Sequence, residues 1–259
     1  MMAIAIWGIV LVSVAFFFKW QMPALASNRV GLDSLYYWIL GITGVAYIVV
    51  QLLLGYLIWK FSDRPGAKGL YWHDSHKMEV GWTVGTAAVL IPIVMVGLNL
   101  WSGVYSPPPA DAVEVEVVGA QFQWDMRYPG PDGVFGRVNP ALISLENPLG
   151  IDPNDPASAD DFSLTNQLGL PVNRPVVLHL RSKDMQHSFF LPRHRVKQDL
   201  QAGMSILTWF VPTEVGEFEI ACAELCGLGH YRMRAFLTVM EPGDYQNWLV
   251  EQQQLATGR

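Results

Sequence analysis

The chain of 259 residues has few cysteines and few charged residues. Its two cysteines are too few for a disulfide framework, and it has no Cys-x2-Cys-His motif, which argues against a c-type haem on this chain. Charged residues make up 15% of the sequence against 51% hydrophobic residues, a low charge content for a soluble protein. Length and composition together indicate two domains, or one domain plus membrane segments.

The charge that is present is unevenly distributed. Residues 1–105 carry six Lys or Arg and four Asp or Glu, whereas residues 106–259 carry eleven against nineteen. The balance of −8 in the second part argues against nucleic acid as a partner and favours a basic protein, because long-range charge mainly sets encounter rates. We expect that association to be sensitive to salt.

Three long stretches without charge occupy the first 110 residues: 1–18, 34–59 and 80–110. A helix needs about 20 apolar residues to cross a bilayer. We therefore predict transmembrane helices at 34–61 and 80–105, and at 1–20 either a retained helix or a signal. The run "ALAS" at 24–27 resembles a cleavage site, but no basic residue precedes the apolar stretch, which favours a retained helix.

Basic residues predict the orientation of these segments. The loop between the second and third segments contains Lys60, Arg64, Lys68 and Lys77, whereas the segment 19–33 contains only two basic residues. By the positive-inside rule this loop is cytoplasmic. The chain after the third segment then lies on the periplasmic or external face of a bacterial-type cytoplasmic (inner) membrane, behind a multi-pass anchor in the lipid bilayer.

The pattern changes after "SPPPA", where proline prevents a helix from continuing. "VEVEVV", "PVVLHL" and "ILTWFV" read as short strands between turns, which predicts an all-β sandwich or barrel at 110–259. A Pro/Gly/Asp-rich insertion at 129–173 contains four clustered acids: Asp152, Asp155, Asp160 and Asp161. No cation-binding loop template fits them, and a solvated loop is the better interpretation. A short helix is predicted at 244–255.

Both cysteines, Cys222 and Cys226, lie in the segment "CAELCGLGHYRM" with His230 and Met233. Thiolate, imidazole and thioether together select copper over hard cations, and His187, in the loop "KDMQHSFFLP", offers a further imidazole. A disulfide would leave the His and Met residues unexplained, and structural zinc has little use for Met. A mononuclear blue-copper site needs one Cys, whereas two thiolates can bridge two copper ions.

"HSFFLPRHRVKQDLQAG" followed by "CAELCGLGHYRM" resembles subunit II of the haem–copper oxidases (cytochrome c oxidase), which carries the dinuclear copper A centre. The similarity covers most of the chain after about residue 34. It implies a cupredoxin-like Greek-key β-barrel anchored by two to three transmembrane helices. Ala223 replaces the family's usual Ser, and "AGM" replaces Pro-Gly-Arg, both outside the ligand set. The implied copper ligands are His187, Cys222, the backbone carbonyl of Glu224, Cys226, His230 and Met233.

The resemblance also implies roles outside the copper ligands. The Glu224 carboxylate would help to hold magnesium at the border with subunit I. Phe122 stands where the family has the Trp through which electrons enter, and the next Trp is kept as Trp124; the alternative is that both rings only pack the barrel. Glu79 corresponds to the mouth of a proton channel, against the alternative of an ordinary interfacial acid.

Four further polar residues near the motif receive structural interpretations. Asp184 and Asp199 are candidates for contacts that support the ligands. His179 is interpreted as a packing residue and His194 as a surface or interface residue, because no cysteine accompanies either of them.

The predicted function is that of the subunit through which electrons from cytochrome c, or a membrane-bound cytochrome, enter a respiratory terminal oxidase. Electrons would pass from copper A to haem in subunit I, where oxygen is reduced, so the partners are a haem-bearing catalytic subunit and further oxidase subunits. This chain would hold no haem and no catalytic residue. A nitric oxide reductase of the same superfamily remains an alternative, because the catalytic metal is in the partner. A stand-alone membrane-anchored cupredoxin and a copper-delivery chaperone fit less well, since a tether needs one span and a chaperone needs exchangeable ligands.

Overall fold

The computed structural model describes residues 2–19, 21–66, 68, 69 and 71–257. Positions 1, 20, 258 and 259, which end the segments predicted at 1–20 and 110–259, lie outside the described residues. The chain divides into two compact units: a helical unit of Met1–Met22 with Gly31–Gly103, and a β-unit of Pro23–Val30 with Val104–Arg259.

The long helices are α1 (Met2–Lys19), α2 (Val30–Lys60) and α3 (His76–Val104). α2 and α3 are long and apolar enough to cross a membrane, each with a mean hydropathy of 2.0, whereas the apolar part of α1, Met2–Phe17, is shorter. α2 and α3 begin before the uncharged stretches that predicted them, because Asp33 and Glu79 lie in their first turns. A carboxylate is favourable there, since the helix dipole is positive at that end.

Ten strands are present among the described residues of the β-unit: β1 (Val113–Ala120), β2 (Gln123–Tyr128), β3 (Phe162–Thr165), β4 (Gln167–Pro171), β5 (Val176–Ser182), β6 (His187–Leu191), β7 (Val196–Leu200), β8 (Ile206–Phe210), β9 (Gly216–Cys222) and β10 (Arg234–Met240). They form two five-stranded sheets, ordered β3-β2-β1-β5-β8 and β4-β10-β9-β6-β7. The predicted cupredoxin-like all-β domain is confirmed, and its two sheets share one hydrophobic core.

Aromatic side chains join the two sheets across the core. Trp124 in the first sheet packs edge-on against Phe189 in the second, with ring centroids 5.5 Å apart, a favourable geometry for aromatic pairs. The Tyr128 hydroxyl donates to the Gly169 carbonyl at 3.2 Å and accepts from the Gly169 N–H at 2.8 Å. These contacts hold the strands that carry the candidate site in a fixed frame.

The central strand β1 is buried on both faces, which its alternating sequence did not predict. Val115 and Val117 are buried, but Glu116 between them is buried as well. Its carboxylate accepts hydrogen bonds from Arg127 at 3.2 Å and from Arg181 at 2.7 Å. Two arginines therefore satisfy a carboxylate that is removed from water.

The insertion predicted at 129–173 is held against this face of the sheet. Arg127 donates to the Gly136 carbonyl at 2.5 Å and forms an ion pair with Asp161. The end of the insertion is not irregular, as its composition suggested, but forms β3 and β4. The two strands are joined at Asn166, whose φ of 59° is left-handed, a conformation that Asn tolerates in turns.

The acidic residues of the insertion contact arginines and backbone groups. Asp155 accepts from Arg137 at 3.0 Å, Asp152 lies 3.9 Å from the same guanidinium, and Asp160 accepts from the Asp132 N–H at 3.2 Å. Within the described part of the chain these acids form no group suited to hold a metal ion. The interpretation as a solvated loop is wrong for these acids, because the Asp161 side chain is fully buried against Arg127 and those of Asp152 and Asp155 are largely buried beside Arg137.

The segment between α1 and α2 is part of the β-unit. Ala26 and Ser27 are buried. The Ala26 N–H donates to the Arg193 carbonyl at 2.7 Å, and the Ala26 carbonyl accepts from the Thr213 N–H at 3.0 Å. Ser27 Oγ donates to the His194 carbonyl at 2.7 Å. The run that resembles a cleavage site is thus bound to the sandwich by backbone hydrogen bonds.

A helix, α4 (Pro242–Thr257), follows β10 and includes the predicted helix at 244–255. The Trp248 ring lies where a Cβ on Gly169 would stand. It also packs edge-on against Tyr128, with centroids 5.5 Å apart. Glycine at 169 therefore lets the helix pack directly on β4.

Candidate metal site

The candidate ligands come from two loops at one end of the second sheet. His187 begins β6, Cys222 ends β9 and Met233 immediately precedes β10. β6 and β9 are antiparallel neighbours, with Phe189 opposite Cys222 in the register. Because one antiparallel strand begins at the edge where its neighbour ends, the loop before β6 and the loop after β9 meet there.

Sulfur and nitrogen atoms lie close together at this edge. Cys222 Sγ is 4.0 Å from His187 Nδ1 and 3.9 Å from Cys226 Sγ. Cys226 Sγ is 3.7 Å from both His230 Nδ1 and Met233 Sδ. The structure thus brings together the five side chains predicted as copper ligands.

Glu224 contributes its backbone to the same edge. Its carbonyl oxygen lies 3.2 Å from Cys222 Sγ. The side chain is half-buried, and no other side chain in the described part of the chain hydrogen-bonds its carboxylate. The backbone carbonyl of Glu224 therefore faces the cluster of candidate ligands, and its carboxylate is available for another partner.

The two cysteines are free thiols in different environments: Cys226 is buried and Cys222 is half-buried. Burial raises the pKa of Cys222, but hydrogen bonds from His187 and from neighbouring backbone groups outweigh it and lower that pKa to about 6. Burial and the adjacent Cys222 raise the pKa of Cys226 to about 11. The site thus favours a thiolate at Cys222 over one at Cys226, and a metal that takes both sulfurs as thiolates must displace the remaining thiol proton.

Asp184 orients His187. Its Oδ1 lies 2.7 Å from His187 Nε2, which leaves Nδ1 directed at Cys222. Burial lowers the pKa of His187, but the hydrogen bonds and charges of Cys222 and Asp184 raise it overall. Burial raises the pKa of Asp184, but hydrogen bonds from His187 and from two backbone N–H groups lower it overall. A carboxylate on the far nitrogen fixes the tautomer of a ligating histidine.

Phe122 packs on the loop between Cys226 and His230. Gly227 in this loop has a φ of +125°, which strongly favours glycine. A Cβ on Gly229 would collide with the Phe122 ring, at 2.5 Å. The ring is half-buried. Phe122 therefore contacts the ligand loop on one side and remains partly accessible from outside.

Trp124 is enclosed by the core. It is fully buried, and its ring packs edge-on against His187, with centroids 6.1 Å apart. The two rings grouped together by the sequence thus differ in position. Trp124 is a core residue, as expected if the ring only packs the barrel. Phe122 is only partly buried against the core and lies at the surface of the site.

Of the two further histidines, one is placed differently from its prediction. His194, predicted at the surface, is fully buried between Phe210 and Phe218, at centroid distances of 5.4 and 4.7 Å. The absence of an accompanying cysteine did not reveal this burial, which depends on the tight turn at Pro192–His194. His179, predicted as a packing residue, does pack: its half-buried ring lies edge-on against Phe135, with centroids 5.6 Å apart, and it also lies 3.0 Å from Glu114.

Gln121 contacts both ligand loops, which the sequence did not predict. Its backbone N–H donates to Asp184 Oδ2 at 2.7 Å and its side-chain amide donates to the Cys226 carbonyl at 2.7 Å. No side-chain pattern signals a bond to a backbone carbonyl 105 residues away. Asp199, predicted to support the ligands, pairs with Lys197 at 3.0 Å and accepts from the Gln186 amide, next to His187, at 3.4 Å.

Glu79 lies in the helical unit, in the first turn of α3. Its side chain is 54% exposed and its carboxylate lies 4.0 Å from His76 Nδ1. The carboxylate is therefore accessible to water at the end of a helix long enough to span a membrane.

Several known proteins that are similar to this chain are described as subunit II of a cytochrome oxidase. The family model "Cytochrome C oxidase subunit II, periplasmic domain" matches residues 113–240. The alternative cytochrome c oxidase subunit 2 of Bradyrhizobium diazoefficiens is 38% identical over 245 residues, covering 93% of this chain and 87% of that protein. Cytochrome c oxidase subunit 2 of Cereibacter sphaeroides is 28% identical over 226 residues, covering 82% and 72%. The solved periplasmic domain of cytochrome oxidase subunit II (CoxB) of Bradyrhizobium japonicum is 25% identical and covers 58% of this chain and 99% of that chain, with a TM-score of 0.43.

Proposed function

The chain belongs to the cytochrome c oxidase subunit II family, and from this premise we propose that it is the subunit through which electrons enter a respiratory terminal oxidase. Its relatives are subunits of an oxidoreductase complex, so the prediction that this chain works as part of an enzyme is confirmed. It is a membrane-anchored subunit with an external β-domain. The finer assignments below are supported by the site.

One observation carries the proposal: each cysteine has its own imidazole partner. Cys222 lies beside His187, Cys226 lies beside His230, and the two sulfurs are 3.9 Å apart. A mononuclear blue-copper site needs only one thiolate, and structural zinc has little use for the Met233 thioether beside Cys226. The donor set instead fits two metal ions that share both sulfurs, the dinuclear copper A centre.

The residues around the ligands keep these donors in place. The Glu224 carbonyl lies near one cysteine and the Met233 sulfur near the other, so each end of the site has one weak additional donor. When bound, dinuclear copper supplies reversible storage of a single electron. Asp184 and the core around His187 and Trp124 hold the ligands rigidly, which keeps the geometry the same in both oxidation states.

Phe122 is the proposed point at which electrons enter. Its half-buried ring packs on Gly229, next to His230. Arg232 lies 5.8 Å from the ring centroid, within the range of a cation–π contact. We assign Trp124 a supporting role behind His187, because it is buried and no donor can touch it. The donor is cytochrome c or a membrane-bound cytochrome with a basic surface.

The remaining roles connect this chain to a catalytic partner. A haem-bearing subunit I would accept the electron, and the Glu224 carboxylate would help to hold magnesium at its border, since magnesium prefers oxygen ligands. Glu79 would admit protons from the cytoplasmic side. The ligand loop also exposes three large apolar side chains, which would contact the electron donor: Leu225, Leu228 and Tyr231. The protein would be a multi-pass component of the bacterial inner membrane.

Metal analysis and electron paramagnetic resonance of the purified, copper-loaded full chain test the copper A centre. We expect two copper ions per chain and a mixed-valence multiline spectrum, which Cys226→Ser abolishes because one shared sulfur is lost. Met204→Leu is the control, since Met204 is exposed and outside the site. One copper ion, zinc, or an unchanged spectrum in Cys226→Ser would contradict the proposal. Consumption of oxygen rather than nitric oxide by the complex identifies the terminal acceptor.

A further inference from the structure

We propose that Gln121 is a positioning residue that ties the two ligand-bearing loops of the metal site together. The inference rests on the proposed copper centre, because it concerns how the ligands of that centre are held. Gln121 lies at the surface, in the turn between β1 and β2, and contributes no ligand itself.

The backbone of Gln121 is bound to the loop that precedes β6. Its N–H donates to Asp184 Oδ2 at 2.7 Å, and Asp184 Oδ1 lies 2.7 Å from His187 Nε2. One carboxylate thus links the turn to a ligand. Because this bond uses the main chain, it remains available when the side chain at position 121 is replaced.

The side chain of Gln121 is bound to the other loop. Nε2 donates to the Cys226 carbonyl at 2.7 Å and lies 3.0 Å from Met185 Sδ. A Cβ on Gly227 would stand 2.7 Å from the same nitrogen. The amide therefore fills the space over Gly227 and fixes the direction of the carbonyl before it.

The position of this bond makes it important for the ligand geometry. Cys226 lies beyond the end of β9, where no sheet ladder holds its backbone. The amide of Gln121 supplies a fixed donor at that point and connects it to the His187 side of the site. Without it, we expect the Cys226 loop to relax and the separation of the two sulfurs to change. Groups that orient metal ligands typically alter metal affinity 10- to 100-fold when they are removed.

Two substitutions test this role in the copper-loaded full chain. Gln121→Met keeps the length of the side chain but cannot donate, and Gln121→Glu keeps its shape but offers only acceptors to the Cys226 carbonyl. Gln123→Met is the matched control, because the Gln123 amide donates to Asp125 at 3.0 Å and not to a ligand loop. We expect ~10-fold weaker retention of copper against a chelator in both Gln121 variants. Altered copper hyperfine splitting and a shifted midpoint potential should accompany the loss, with Gln123→Met unchanged.

Other outcomes overturn the inference. Gln121 variants that match the parent chain in copper retention, hyperfine splitting and potential would show that the amide positions nothing. Equal losses in Gln121→Met and Gln123→Met, matched by lower thermal stability of the metal-free chains, would show a purely structural role. A parent chain without two copper ions would refute the copper A centre and this inference with it. A two-copper parent with unchanged variants refutes this inference alone.

Discussion

At the scale of single residues, Asp184 is expected to control how strongly His187 binds metal. Asp184→Asn keeps the size of the side chain but removes the charge that accepts the His187 Nε2–H. We expect ~10-fold weaker copper binding by the full chain in chelator competition. Asp152→Asn is the matched control, because Asp152 lies in the insertion beside Arg137 and contacts no ligand. Equal losses in the two variants would contradict an orienting role.

His194 links the stability of the β-unit to pH. It is fully buried, and neither of its ring nitrogens has a hydrogen-bond partner among the residues described. Burial, and then the charges of Arg193 and Arg195, lower its pKa from 6.5 to about 4. The unfolded chain therefore binds a proton near pH 6.5, whereas the folded chain binds it only near pH 4. Stability must fall as the pH decreases through this window.

Replacement of His194 by leucine should remove this part of the pH dependence. Between pH 7 and pH 5, we expect the parent to lose ~2 kcal/mol more of its unfolding free energy than His194→Leu. Denaturant unfolding of the metal-free full chain, followed by tryptophan fluorescence at both pH values, measures the difference. Between pH 7 and pH 8, above this window, the parent and His194→Leu should change equally. The same loss in His194→Leu and in the parent would rule out His194 as its source.

The sequence predicted the residues of the site unevenly, for a physical reason. Cys222, Cys226, His230 and Met233 lie within twelve positions, so one loop can bring them to one edge regardless of the rest of the fold. The contacts of Gln121 were not predictable, because they depend on the packing of a distant turn against that loop. The absence of an accompanying cysteine likewise gave no information on the burial of His194, which depends on its packing between Phe210 and Phe218.

At the scale of elements, a helix or strand is predictable from the sequence where all of its residues share one kind of surroundings. α2 and α3 are predictable because their apolar residues continue around the whole helix. β3 and β4 were missed because their short sequences lie in a region rich in Pro, Gly and Asp. The burial of Glu116 in β1 was missed because alternation assumes one solvated face, whereas Arg127 and Arg181 pair with this residue.

α3 gives a prediction at the same scale through Glu79. If this carboxylate admits protons, Glu79→Gln should slow steady-state oxygen consumption several-fold while copper reduction by the donor stays fast, since only proton uptake loses its acid. Turnover and stopped-flow reduction of the intact complex measure the two steps. Asp33→Asn is the control, because Asp33 occupies the equivalent first turn of α2. Equal turnover in Glu79→Gln and the parent would remove the role.

At the scale of the whole molecule, the division of the chain was only partly predictable. The change from long apolar stretches to short strands marks the start of the β-unit in the sequence. The segment Pro23–Val30 nevertheless belongs to the β-unit, although it lies between two helices of the other unit. Its attachment depends on backbone hydrogen bonds to Arg193 and Thr213, which the composition of a segment does not reveal.

The distribution of charge gives the prediction that concerns the whole molecule. Residues 106–259 carry a balance of −8, yet the ligand loop exposes three large apolar side chains beside the basic Arg232: Leu225, Leu228 and Tyr231. Charge should therefore attract the donor from a distance, while apolar contact holds it. Raising the ionic strength from about 0.01 to about 0.15 M shortens the Debye length from ~30 to ~8 Å.

We accordingly expect the second-order rate of copper reduction by a basic cytochrome c to fall ~10-fold or more over this range, because electrostatic steering acts mainly on association. The limiting first-order rate within the complex should stay constant, since apolar contacts are not screened by salt at these concentrations. Stopped-flow reduction at several donor concentrations separates the two rates. An uncharged small-molecule reductant is the control and should show no salt dependence. A second-order rate that is constant with salt would mean that the acidic surface does not face the donor.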